Sequence, residues 1–149
     1  MFSKTCEYAI RAMVYIVAKT GEGLKVGIKE IAKNIGAPEA FVAKILQTLS
    51  RCGLVSSIKG PNGGFFIEDK AHLPLISIVR AIDGDDLLTN CGLGIKECSA
   101  KRPCPIHHEY VAIRIKVAAM LKSNTIHDLA TGIISGHTFL TKDKQLNFK

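Results

Sequence analysis

IKEIAKNIGAPEAFVAKILQTLSRCGLVSSIKGPNGGFFIED, residues 28–69, is the stretch that decides the fold. Ile28, Ile31, Ala32 and Ile35 recur at helical spacing and share one side of a short helix over 28–35. Gly36-Ala37-Pro38 then forms a tight turn, with Pro38 suited to the first turn of the next helix. That helix is expected over 38–52, with Phe41, Val42, Ile45, Leu46 and Leu49 inward and Gly53 as its stop. Two β-prone runs, LVSSI and FFIE, flank a Pro/Asn/Gly turn and read as a hairpin. Helix, turn, longer helix and hairpin is the order of a winged helix–turn–helix.

That architecture suits a DNA duplex. The first helix crosses the backbone and the second enters the major groove. Its outward positions are Glu39, Ala40, Ala43, Lys44, Gln47 and Arg51. Lys44 and Gln47 are placed for base edges and Arg51 for phosphate. The hairpin tip, Lys59-Gly60-Pro61-Asn62-Gly63-Gly64, sets a lysine beside glycines that allow close backbone approach, as a minor-groove or phosphate contact needs. The candidate DNA contacts are therefore Lys29, Glu39, Phe41, Lys44, Gln47, Arg51, Lys59, Gly60, Asn62 and Gly63. Phe41 stands both in this set and on the inward face. The tip lacks the Gly-Lys-Ser/Thr ending of a phosphate-binding nucleotide loop, so no nucleotide is expected. Charge agrees: the chain carries +7 overall, and residues 25–64 hold six basic side chains against two acids.

Working outward, residues 4–19 carry a helical stripe of Ala9, Ile10, Met13, Val14, Ile16 and Val17, ended by Gly21 and Gly23. A short helix is expected over 76–82, an irregular loop over 84–106, and helices over 107–122 and 126–135. The fold class is thus mainly α with a small β-hairpin: a winged helix–turn–helix plus a long dimerisation helix. The expected units are a DNA-binding domain over 1–83, a cysteine-rich sensor loop over 84–106, the dimerisation and C-terminal helices over 107–140, and a flexible tail over 141–149. The helix at 107–122 has two apolar faces. Ile113, Val117 and Met120 form one; Val111, Ile115 and Ala118 form the other, so one can pack at home and one on a second copy. No apolar run nears the roughly 20 residues that span a bilayer. Glu7 and Arg11 interrupt the one stretch resembling a signal peptide. A cytoplasmic protein without a membrane partner is expected.

NCGLGIKECSAKRPCPIHH, residues 90–108, holds Cys91, Cys98 and Cys104. Six residues separate the first pair, five the second, and two more lead to His107. Cytosolic thiols stay reduced, so clustered cysteines there point to metal or redox chemistry before disulfides. The paired knuckles of a zinc ribbon are absent. Wide spacing lets a loop wrap a larger object such as an iron–sulfur cluster, which soft thiolates suit. Pro103 and Pro105 stiffen the approach of Cys104, and Lys96, Lys101 and Arg102 are positioned to offset thiolate charge. His107 is the nearest fourth donor; His108 points about 100° away. Cys6 and Cys52 fall in helical patterns and are expected to be small buried side chains. This reading leaves zinc and iron–sulfur both open. No nucleophile–base constellation marks an enzyme.

Taken together, EYAIRAMVYIV at 7–17, the stretch at 28–67, VRAIDG at 79–84 and the three-cysteine loop resemble the Rrf-two family of bacterial winged-helix regulators, in its cluster-binding (IscR/NsrR-like) branch. The likeness runs to about residue 140. It implies a homodimer binding a pseudo-palindromic double-stranded promoter site, acting as a repressor. It further implies an iron–sulfur cluster, [2Fe–2S] or [4Fe–4S], whose response to redox, nitric oxide or cluster status changes DNA affinity. Such a cluster can be lost from a preparation made in air. By resemblance Cys91, Cys98 and Cys104 are its ligands. The fourth ligand differs within the family: a histidine matching His107 in some members, an acidic residue matching Glu7 and contributed across the dimer in others. Two departures stand out. The Cys91–Cys98 interval is one residue longer than the family pattern, and Lys59 replaces a frequent wing arginine, giving a point charge without the planar fork. The alternatives are a cluster-free thiol-sensing repressor, a zinc-bound one, and, further off, a redox or cluster-carrier protein.

Overall fold

Ser3 caps the first helix: its hydroxyl accepts from the Cys6 N–H at 3.0 Å, satisfying one of the amides a helix start leaves free. The computed structural model describes residues 1–21, 23–68 and 73–141. In order these form α1 (Lys4–Thr20), α2 (Ile28–Ile35), α3 (Glu39–Arg51), β1 (Ser56–Ile58), β2 (Gly64–Phe66), α4 (Leu75–Asp83), α5 (Asp86–Thr89), α6 (His107–Ser123) and α7 (Ile126–Ile134). A mainly helical chain with one small antiparallel hairpin is the class expected. Residues 142–149 of the expected flexible tail lie outside the described residues.

α1 is the centre of the molecule. Residues 12–18 are buried without a break, because α2, α3, α4, α7 and β2 all pack on it. The expected stripe named one face; the helix is enclosed on every side there. Met13, Ile16, Ile31, Ile45 and Leu49 meet in this core, each fully buried. Burying such a side chain contributes roughly 1.5–3 kcal/mol. Tyr15 donates its hydroxyl to Glu30 at 2.7 Å, and the Lys19 ammonium sits 3.9 Å from the same carboxylate, fastening α2 to α1.

The turn between α2 and α3 depends on Gly36, which sits at φ 68° and ends α2 in the left-handed conformation. Pro38 precedes α3 as its N-cap, one position earlier than expected. In the wing, Ser56, Ser57 and Ile58 pair with Phe66, Phe65 and Gly64. Phe65 also exchanges two backbone hydrogen bonds with Val26, at 2.8 and 3.0 Å, tying the wing root to the α1–α2 linker. A Cβ on Gly63 would overlap the Ile58 carbonyl, and one on Gly64 would meet the Val26 backbone at 2.9 Å. Two adjacent glycines are what let the hairpin close and dock.

The C-terminal part is built back into this core. Leu75 N–H donates to Asn124 at 3.0 Å and Ile126 N–H to Leu73 at 2.9 Å, so the start of α4 pairs with the α6–α7 junction. Thr125 and Asp128 cap α7 reciprocally. Leu121, Ile126 and Ala130 are buried in the same core as α1, and α7 lies against α1. The C-terminal helix thus packs with the reading head, because Ile126 and Ala130 face it. The region 84–106 is not wholly irregular: α5 occupies its start.

α6 differs from every other long helix. Of its seventeen residues Leu121 alone is fully buried. The side that faces the rest of the chain is His107, Tyr110, Val111, Arg114, Val117, Ala118 and Leu121, so each of the two expected apolar faces is divided. Ile113, Ile115 and Met120 are 55%, 64% and 43% exposed. Val117 of one expected face and Val111 and Ala118 of the other turn inward, because the seam that packs on the chain runs between the two faces.

Candidate metal centre and nucleic-acid interface

The cysteine loop leaves α5 at Asn90 and rejoins regular structure at His107. Within it Cys91, Cys98 and Cys104 come together, their sulfurs all within 4.8 Å of one another. Cys91 Sγ and Cys104 Sγ are 3.6 Å apart. Backbone amides close the cage: Leu93 N–H donates to Cys91 Sγ and Cys104 N–H to Cys98 Sγ, each at 3.4 Å. The Cys104 carbonyl accepts from His107 N–H at 3.0 Å, which turns the chain directly into α6. His107 Nδ1 then lies 3.1 Å from Cys98 Sγ. The donor set is three half-buried sulfurs with an imidazole touching one of them, a soft, tetrahedral-capable set that fits an iron–sulfur cluster or a zinc ion.

Hydrogen bonding tunes these thiols unequally. Cys91 is lowered to about 7, first by the Leu93 amide, then by that of Ile95, with smaller help from Cys104 and Cys98. Cys104 is raised, chiefly by burial. The loop cations were expected to do this work. Lys96, Lys101 and Arg102 all stand exposed, and Arg102 instead pairs with Glu97 at 3.8 Å. Peptide amides win because they touch the sulfur, whereas exposed ammonium groups act through water.

Glu7 is in the first turn of α1, paired with Lys4 at 3.1 Å, and is not among the residues clustered with the three cysteines. Cys6 is buried as expected; its thiol is pushed up to about 12 by burial and then by neighbouring Asp83. Cys52 is a correction. It follows the last turn of α3 as its C-cap and is exposed, at the point where the chain leaves the helix through Gly53 at φ 73°.

The other candidate surface is the outer face of α3 with the wing. Glu39, Lys44, Gln47 and Arg51 are exposed together, as are Lys29, Lys59, Gly60 and Asn62, and Gly63 is half-buried at the tip. Phe41 stands apart from them: half-buried, it packs edge-on to Tyr8 with ring centroids 5.7 Å apart. Residues that the sequence reading missed lie on α6 and around its root. Arg114 donates to the carbonyls of Thr89 and Asn90, Tyr110 packs on Gly92, and Asp83 accepts from both Ser3 N–H and its hydroxyl. The signal available was weak: an aromatic and an arginine at one helical spacing from His107.

No described helix is long and apolar enough to cross a membrane. The sequence profile of Rrf2, described as an iron-dependent transcriptional regulator, matches residues 2–132. An HTH-type transcriptional-regulator sequence of Aquifex aeolicus is 34% identical over 132 residues, covering 87% of this chain and 90% of that one. The regulator IscR of Photorhabdus laumondii is 25% identical over 123 residues, covering 82% and 74%. Among solved structures, CymR, the global cysteine regulator of B. subtilis, superposes with a TM-score of 0.73 at 25% identity over 88% of this chain and 96% of its own. T. potens IscR shares the fold, with a TM-score of 0.70 at 19% identity over 93% and 92%. The relatives are regulators and not enzymes, and the exposed face of α3 with its wing is the surface such regulators need: this chain belongs to the Rrf2 family of winged-helix, DNA-binding transcriptional regulators.

Proposed function

We propose that the chain is a cytoplasmic, homodimeric repressor whose promoter affinity is set by an iron–sulfur cluster held at Cys91, Cys98 and Cys104, with His107 as fourth ligand. The observation that carries this reading is the convergence of the three sulfurs within 4.8 Å at the root of α6. His107 is favoured over Glu7 because its ring touches Cys98 in the same chain, at 3.1 Å. Exposed Ile113, Ile115 and Met120 support a second copy packing along α6, since one helix leaving these apolar side chains in water is poorly stabilised.

A cluster held by Cys91, Cys98 and Cys104 would supply a redox-dependent charge beside the start of α6. The chain's own part is positional. Cys91 follows α5, Cys104 precedes α6, and a dimer along α6 sets the spacing of the two α3 helices. Half-sites lie about 34–36 Å apart, so a small rotation of α6 changes how both heads fit. The two states of the loop must favour different dimer geometries for the switch to act. Exposed Lys44 and Gln47 read the groove, Arg51 meets phosphate, and Lys59 lies on the wing for phosphate or minor groove.

A zinc-bound repressor is the second reading, favoured by the 3.6 Å between Cys91 and Cys104. Sulfurs sharing one tetrahedral zinc lie about 3.8 Å apart, from a bond length of about 2.3 Å. Anaerobic purification with visible absorbance and iron, sulfide and zinc analysis separates the two. Promoter binding by the loaded protein and by Cys98→Ala then tests the switch: equal affinity on every fragment tried sinks it.

A further inference from the structure

The cysteine loop is held to α6 by two side chains that are not ligands. Arg114 donates from one guanidinium nitrogen to the carbonyl of Thr89 and, at 2.8 Å, to that of Asn90, the two residues before Cys91. Tyr110, one turn nearer the start of α6, lies on the residue after Cys91: a Cβ on Gly92 would come within 3.0 Å of its ring carbons. The Arg114 guanidinium sits 5.7 Å from the centroid of that ring. Its Nε is shut off from solvent, so the group belongs to the packing rather than to the surface charge. Backbone on both sides of Cys91 is thus gripped by α6, while Leu93 and Ile95 beyond it stand about half exposed.

The grip falls on a single helical seam. His107, Tyr110 and Arg114 are followed at the same spacing by Val117 and Leu121, which enter the core. The face that buries the second half of α6 is the face that holds the cysteine loop at its first half. A short loop carrying three cysteines has many arrangements in which the sulfurs are apart, and each ordered residue costs roughly 1–2 kcal/mol of backbone entropy. Two donors on adjacent carbonyls and a ring against a residue without a side chain remove much of that freedom before any ligand arrives. One terminal nitrogen of Arg114 reaches both carbonyls while its planar group stands beside the Tyr110 ring, a combination that a compact ammonium reproduces only in part.

We infer that Arg114 and Tyr110 are positioning residues that hold Cys91 in register with Cys98 and Cys104, preorganising the thiol site from α6. The inference rests on the reading of these cysteines as one binding site. The test uses the full-length, reduced protein under anaerobic conditions with cobalt(II) alone as probe, followed by its sulfur-to-metal absorption. In parallel, the metal-free protein is alkylated with iodoacetamide and the rate at each cysteine is read by mass spectrometry. Arg114→Ala is expected to weaken cobalt binding at least tenfold and to change the Cys91 alkylation rate at least threefold relative to Cys98. Arg114→Lys is expected to recover part of both. Gly92→Ala, which disturbs the Tyr110 contact from the loop side, is expected to act in the same direction and serves alone if Arg114→Ala fails to give a native circular dichroism spectrum. Cobalt affinity within twofold of the wild type, together with unchanged Cys91 alkylation, overturns the inference. If the wild type takes up no cobalt, the metal reading of the site falls, and the alkylation arm still decides whether the grip on Cys91 exists.

Discussion

The reading head and the cysteine loop are built on opposite principles. In the head, α1 is enclosed by four helices and a strand, and the side chains that set α3 are fully buried. In the loop and α6, shape comes from a few polar and aromatic contacts, and large apolar side chains remain in solvent. The head is stable because of what it buries. The loop is ordered by what it bonds.

Several measurements can break or sharpen that contrast. The largest effect is expected in the core: Leu49→Ala should destabilise the chain by about 2–5 kcal/mol in chemical denaturation, whereas Cys98→Ala on metal-free protein should stay within about 1 kcal/mol. Comparable losses would mean that the loop is part of the core. Replacing Ile113 and Ile115 together by Glu should dissociate the proposed dimer in sedimentation velocity and leave the far-ultraviolet spectrum of the head in place. On the DNA face, Gln47→Ala should lower promoter affinity by about 1–3 kcal/mol and relax specificity at one base pair. Lys59→Ala should weaken all sequences alike and reduce the salt slope by about one.

The smallest effect concerns the seam where the two regions join. Thr125→Ala removes the α7 cap and should cost about 0.5–2 kcal/mol. Asp128 in that cap is lowered, first by the Thr125 hydroxyl and then by its amide. Its folded pKa lies below its unfolded one. The stabilisation is therefore complete above the ordinary aspartate range, near pH 4, and is lost as pH falls through the lowered value. Thermal melts of wild type and Thr125→Ala should converge on acidification; a gap independent of pH removes Asp128 from the account.

The helix–turn–helix was legible residue by residue, since Ile31, Ile35, Val42, Ile45 and Leu49 obey helical periodicity and Gly36 has one conformational use. The three site cysteines were legible as a set. Their partners were not, and for stated reasons. Val26 bonds the wing through its backbone, which leaves no mark in side-chain pattern. Arg114 and Tyr110 look outward by polarity, yet one bonds carbonyls and the other covers a glycine. Cys52 was misread because it stands at the end of α3, where helical spacing alone does not say whether another element covers a side chain.

Local periodicity, turn glycines and thiol clustering depend on residues near in sequence, and they determined the helices, the hairpin, the charge of the reading face and which three cysteines come together. The packing of α7 on α1, the pairing of the start of α4 with the α6–α7 junction, and the seam of α6 that grips the cysteine loop depend on residues far apart in the chain. Only the folded core decides those, because it alone sets which face of a helix has a neighbour to meet.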